Sequence, residues 1–275
     1  MKKKTHKKRK TNGAFRMLVF VFVLVCVWLF STFTLTTVIA EFTDGKIKNE
    51  ITIVQITDLH GADFGLNNLS VINRIEKENP DFIVATGDMY TRDDKNGMQV
   101  AERLLASLAE KYTVYFVSGE HDNDEAFIER LRENKVKIVN YKYEDINIGE
   151  TGIRLYGVNN VYYSSTFDLN NEFMLDENKY NILIAHICNK EKFADFGMDL
   201  CICGDTHGGQ IRLPFIGGLY GASGWFPELQ DKNAFVKGAY KYKNTDFFIS
   251  GGLGNYPLPL RFMNRLEVAV IKLVP

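Results

Sequence analysis

From residue 51 onward, short apolar runs and amphipathic stretches take turns along the chain. The segments 51–56, 82–85, 113–117 and 136–139 are apolar runs rich in β-branched and aromatic residues, the pattern of buried strands. Between them, 69–78, 98–111 and 124–134 place apolar residues at helical spacing. Helices between successive strands predict right-handed crossovers and a mainly parallel sheet. After residue 140 the pattern changes. Strands are expected at 146–148, 153–158, 182–186, 200–203, 247–249 and 266–273 with little helix between them, which predicts mixed or antiparallel pairing. Two sheets packed face to face with helices outside, an α/β sandwich of αββα layers formed by one domain over 51–275, would use both halves in one core.

The N-terminal region follows a different pattern. Residues 1–16 carry eight Lys and Arg and no acid, and 17–40 carry no charge at all. A stretch of that length can cross a bilayer core of roughly 30 Å as a helix. It is expected to be an uncleaved transmembrane signal-anchor, with cleavage after Ala40 as the competing reading. The basic cluster ahead of it would keep the N-terminus in the cytoplasm and place the body outside the cell membrane. Polar residues 41–50 read as a linker, so the body would hang close to the bilayer.

Charge narrows the choice of partners. Setting the eight N-terminal basic residues aside leaves 25 of the 33 Lys and Arg against 34 Asp and Glu, a formal charge of −9 on the body. A long nucleic-acid scaffold surface would be basic, so none is expected. Of the four cysteines, Cys26 lies in the apolar segment, and Cys201 and Cys203 should face one side of a strand. Small buried hydrophobes, rather than a disulfide framework, fit that placement.

Polar residues suited to chemistry gather just after the strand-like runs. They are Asp58-Leu59-His60, Gly87-Asp88, Gly119-Glu120-His121-Asp122, His186 and Gly204-Asp205-Thr206-His207-Gly208-Gly209. Ligand sites in parallel sheets form outside the carboxyl ends of the strands, where the first three clusters would fall. Carboxylates and imidazoles at successive strand ends point to metal ions. Taken singly each cluster is common, and Gly208 and Gly209 serve equally as turn residues or for close approach of backbone to a phosphate.

In that order, the motifs resemble those of the calcineurin-like metallophosphoesterases. The resemblance extends over 51–275 and, through Ser250-Gly251-Gly252-Leu253-Gly254, Arg261 and Leu266-Glu267-Val268, to a membrane-anchored branch similar to the pyrophosphatases acting on UDP-2,3-diacylglucosamine. It implies a metal-dependent phosphoesterase in which two divalent ions generate a bridging hydroxide that attacks a phosphodiester or pyrophosphate. By position, Asp58, His60 and His207 would hold the first ion and Asp88 would bridge. Glu120, His186 and Asp205 would hold the second. His121, oriented by Asp122, would protonate the leaving oxygen.

Glu120 and Asp205 stand where the family generally has Asn and His. The resulting oxygen-rich site favours Mn²⁺ or Mg²⁺, with Zn²⁺ or Fe as other candidates. It also favours a diester or pyrophosphate over a phosphate dianion. A lipid-linked or envelope substrate follows from the expected closeness to the membrane. The alternative is a non-catalytic metal-dependent binding or sensing module with an altered second site. No substrate-binding residue is identified, although the aromatic segment 214–242 and Arg261 and Arg265 are open to that role.

Overall fold

The computed structural model describes residues 13–159, 167–221, 224–231 and 233–275. Residues 1–12, which hold most of the basic cluster, lie outside the described residues. Two six-stranded sheets form the body. The first is built from β1 (Leu35–Thr43), β2 (Ile51–Ile56), β3 (Phe82–Ala85), β4 (Val114–Phe116), β5 (Lys137–Ile138) and the last strand, Leu266–Val274. Its helices are α2 (Leu69–Glu78), α3 (Lys95–Ala109) and α4 (Glu125–Glu133). β2 to β5 pair in parallel, as the alternating pattern predicts.

The second sheet holds β6 (Lys142–Ile148), β7 (Thr151–Val158), β8 (Tyr180–Ala185), β9 (Leu200–Cys203) and two later strands at Gly238–Tyr242 and Thr245–Ile249. One further helix, α5 (Lys190–Phe196), connects β8 to β9. Four parallel strands occupy the centre, with an antiparallel strand at each edge. The pairing is therefore mixed, as expected.

Alternation along each strand divides the core into three layers. Ile53, Val84, Ile184 and Ile202 meet between the sheets. Val54, Ile56 and Val268 face out toward Ile75, Leu104 and Leu131 on the first set of helices. Leu183, Cys201 and Cys203 pack against Phe193 and Phe196 of α5. The αββα sandwich is the fold of this chain.

At the N-terminus the boundaries differ from those read in the sequence. The helix α1 (Gly13–Phe33) is 21 residues long and apolar enough to cross a membrane by length and composition. It stops at Phe33 rather than running to residue 40. Residues 35–43 form β1 instead, paired in parallel over nine positions with Leu266–Val274. β-Branched Thr36, Thr37, Val38 and Ile39 suit a pleated strand better than a helix, and the open edge of Leu266–Val274 offers them a ladder. The segment read as a linker begins inside β1, and Ile47 is buried in the core between the sheets.

Candidate metal centre

Each candidate side chain leaves the end of a buried strand. Asp58 and His60 follow β2, Asp88 follows β3, and Glu120 and His121 follow β4. From the other sheet, His186 follows β8, and Asp205 and His207 follow β9. Bonds between the sheets hold these ends together. Gln55 Nε2 donates to Cys203 O at 2.9 Å, and the backbone N–H of Asp205 faces both Asp58 carboxylate oxygens at 3.2 Å.

The turns that follow the strands are unusual. Asp58, His60, Asp88, Asp205 and His207 all have φ between 48° and 72°, in the left-handed region that side chains rarely adopt. Such strain persists only where surrounding structure enforces it, and it gathers at functional sites. Close packing does the enforcing. A Cβ on Gly204 would lie 2.7 Å from Asp58 Oδ2, and one on Gly119 would lie 2.2 Å from Asp88 Oδ1.

The ligand atoms converge. Asp58, His60 and His207 form one group whose candidate atoms lie within 4.8 Å of one another, and Asp58, Asp88 and His186 form a second. His60, Asp88 and His121 form a third. His60 Nε2 and His207 Nε2 are 3.3 Å apart, with Asp58 Oδ1 3.5 Å from the latter. His186 Nδ1 lies 2.8 Å from Thr86 O, which fixes a proton on that nitrogen and turns Nε2 inward. Although buried, Nε2 has no aligned hydrogen-bond partner, yet Asp88, Asp205 and Asp58 oxygens stand 3.2, 3.7 and 3.9 Å away. A buried imidazole nitrogen aimed into three carboxylates fits a divalent cation.

Electrostatics agree with that fit. Burial pushes the Asp58 carboxyl up to about 7, reinforced by Asp88 and Asp205. Burial lowers His60 to about 4 and takes His207 well below its usual value, with the Arg261 charge acting in the same direction on both. Both rings are thus neutral, the form that ligates metal. Burial opposes charge on His186, but Asp88, Asp58 and Asp205 outweigh it and hold the ring protonated well above the usual range. Burial likewise opposes ionisation of Asp88, yet His186 and the His121 N–H keep that carboxyl below its usual range. Protons therefore occupy places where a cation would replace them.

Two expected residues are placed differently. Glu120 is exposed at the rim and, like the half-buried Asp205, belongs to none of the three groups among the described residues. Asp122 does not orient His121. It is fully buried, and its carboxylate accepts the N–H groups of Met89 at 2.8 Å and Gly119 at 2.7 Å. The Asp-His pairing expected from adjacency does not form, because both Asp122 carboxylate oxygens are taken by backbone N–H groups. The backbone N–H of Arg92 donates to His121 Nδ1 at 3.1 Å instead, which leaves the proton on Nε2, 4.0 Å from Asp88 Oδ2.

Residues 51–209 match the calcineurin-like phosphoesterases. The chain belongs to that family. A metallophosphoesterase of Bacillus subtilis, YkuE, is 27% identical over 234 residues, 80% of this chain and 78% of that protein. The Escherichia coli phosphodiesterase YaeI is 25% identical over 232 residues, 81% of this chain and 82% of its own length. Among solved structures, the E. coli phosphoesterase Yfce is similar with a TM-score of 0.39 and 15% identity, covering 76% of this chain and 85% of that one.

The candidate site opens into a cavity of about 280 Å³ lined by Asp88, Glu120, His121, Asp205, Tyr220 and Tyr256 among others. The sequence alone does not mark Tyr256 as part of the site. Its ring stacks on His60 with centroids 4.4 Å apart and meets His121 edge-on at 4.9 Å. Nothing in its local pattern marks it, since it acts through a contact between distant segments. The aromatic segment divides. Tyr220 lines the cavity, whereas Phe235 stacks on Tyr240 and packs on Phe247 beside α5. Arg261 is buried and donates to Gly254 O, and Arg265 donates to Thr34 Oγ1 and Leu35 O, so neither guanidinium opens into the cavity. A larger cavity of about 580 Å³, between the end of α1 and α2, contains none of the three ligand groups.

Proposed function

We propose that this phosphoesterase is a membrane-anchored, metal-dependent hydrolase of phosphodiester or pyrophosphate bonds, working on a lipid-linked or envelope substrate. The observation that carries the metal dependence is the buried, unpartnered His186 Nε2 facing Asp58, Asp88 and Asp205. Asp58, His60 and His207 would hold one ion, and His186 and Asp205 a second. Asp88, which lies in both remaining groups, would bridge them. Glu120 would join the second ion by swinging in from the rim. Divalent ions so placed would act as Lewis acids on the phosphoryl oxygens and lower the pKa of water that serves as nucleophile.

The side chains do the rest of the work. The Nε2–H of the neutral His121 ring faces the centre and would hydrogen-bond the leaving oxygen as negative charge develops there, with the proton itself coming from water. Tyr256 and Tyr220 would wall the substrate and keep bulk water away from one side. Asp58, Asp88, Asp205 and Glu120 make the site rich in oxygen ligands, which supports Mn²⁺ or Mg²⁺ over Zn²⁺. The same negative charge would repel a phosphate dianion more than a monoanionic diester. α1 would span the membrane with its basic end in the cytoplasm, so that the site lies outside.

Purified full-length protein should hydrolyse bis(p-nitrophenyl) phosphate with Mn²⁺. Asp88→Asn should abolish turnover, and His121→Ala should lower kcat by about 10²–10³-fold with metal content unchanged. Absence of turnover with every divalent metal tried would favour a binding or sensing module.

A further inference from the structure

Between Asn255 and Arg261 the chain reads Tyr-Pro-Leu-Pro-Leu, with no charge. This segment joins the metal centre to α1. At one end Tyr256 stacks on His60. At the other, the chain runs beside the last two turns of the helix. Trp28 Nε1 donates to Pro259 O at 3.0 Å, the Arg261 N–H to Thr32 Oγ1 at 3.2 Å, and the Met263 N–H to Ser31 Oγ at 2.9 Å. Ser31 and Thr32 are the buried residues of α1. These contacts place the segment level with the end of the apolar helix.

Tyr256 and Pro257 line the metal-centre cavity, but the side chains of Leu258, Pro259 and Leu260 do not turn toward it. Residues 257–260 are all exposed, with Leu258 at 62% and Leu260 at 47%, and Met263 follows at 53%. Trp28 precedes Phe33 by five residues, so the segment it holds lies about 7 Å short of the helix end at the α-helical rise. Elements that rest in a bilayer interface bury their apolar face by about 5–10 Å, the same depth. Tryptophan is enriched at that level.

Few backbone donors in 257–260 are left for lipid to meet, the Leu258 N–H being the one with no bond among the described residues. Pro257 and Pro259 bring no N–H, the Leu260 N–H is bonded to Leu258 O at 2.7 Å, and Pro259 O takes the Trp28 indole proton. Arg265 stands above, its guanidinium carbon 4.7 Å from the Phe30 ring centroid and its nitrogens on Thr34 and Leu35. That puts a cation where lipid phosphates lie.

We infer that residues 257–263 form a membrane-docking loop, which dips into the leaflet at the C-terminal end of α1 and seats the mouth of the metal centre on the bilayer surface. The inference rests on reading α1 as a membrane span. Its occupant is the bilayer itself, since the loop is continuous with the apolar surface of the helix. A protein partner would have to reach the same atoms through the lipid around α1.

Full-length protein in phosphatidylcholine vesicles containing a lipid with a photoactivatable diazirine in its acyl chain tests this. After irradiation and peptide mapping, adducts are expected both in 13–33 and in 257–263. Adducts in the helix alone would overturn the docking loop and leave the anchor standing. Adducts in neither would overturn the anchor and the loop with it. In Leu258→Asp/Leu260→Asp, loop labelling should fall at least about fivefold with helix labelling unchanged, because two carboxylates resist entry into lipid. Undiminished loop labelling in that variant would show that the loop meets lipid only by collision, and would sink the proposal.

Discussion

The carboxylate of Asp122 takes two backbone N–H groups that shape the turns around Asp88. Asp122→Asn can satisfy them only by presenting one oxygen and turning a donor toward another donor. A mismatch of this kind costs about 1–3 kcal/mol, or roughly 3–10 °C in Tm for a body of this size. The pH profile of kcat should not move, because His121 is oriented by the Arg92 N–H. A shifted profile with an unchanged Tm would restore Asp122 as the partner of His121. Gly119 is constrained by space. A Cβ there would meet Asp88 Oδ1 at 2.2 Å, so Gly119→Ala must displace the shared carboxylate. Rates should fall about 10²-fold, with lower metal content and an unchanged circular dichroism spectrum. Wild-type metal content would show that Asp88 has room to move. Asp58, His60, Asp88, His186 and His207, whose candidate ligand atoms the structure brings together, all stand out in the sequence because they follow strand-like runs. Tyr256, the Thr86 carbonyl and the Arg92 N–H do not. Two of those contacts use backbone atoms, which any residue supplies, and the third is a packing contact between distant segments.

At the scale of elements, the sandwich is legible wherever strands and helices alternate, and least legible where an apolar run serves two structures in succession. Charge-free residues 17–40 read as one span because hydropathy does not separate a lipid-facing helix from a buried strand. The division at Thr34 depends on β-branched residues meeting the free edge of Leu266–Val274. That edge gives the strand a structural role which can be measured. A soluble variant beginning at residue 34 retains β1 and should remain monomeric. One beginning at residue 44 loses nine paired positions and exposes a long apolar edge. Its Tm should be lower by more than about 10 °C, the equivalent of several kcal/mol, or it should aggregate. Equal Tm values and monomeric behaviour for the two variants would show that β1 is an appendage, and that the body starts with β2.

For the molecule as a whole, proton and metal occupancy of one buried cluster should set the stability. The Asp58 carboxyl rises to about 7, and His186 is raised well above its ordinary 6.5. Between pH 6.5 and 8 the folded, metal-free protein therefore holds protons that the unfolded chain has released. Stability falls with rising pH wherever the native state binds more protons, by about 1.4 kcal/mol per pH unit for each extra proton. His60 and His207 are already neutral in the fold, so the protons that the unfolded chain still holds on them near their ordinary 6.5 oppose the trend there, and the decline is shallow near pH 6.5 and steepens toward 8. A divalent cation would displace the same protons, and its apparent affinity should rise over the interval in which they are lost. Chelated protein should accordingly show a Tm that declines from pH 6.5 to 8, and the upward shift on adding Mn²⁺ should widen over the same range. Differential scanning fluorimetry on matched chelated and Mn²⁺-loaded samples reads both trends at once. Parallel curves would mean that cations bind without displacing protons from Asp58 and His186, and would place the ion outside the cluster that joins the two sheets.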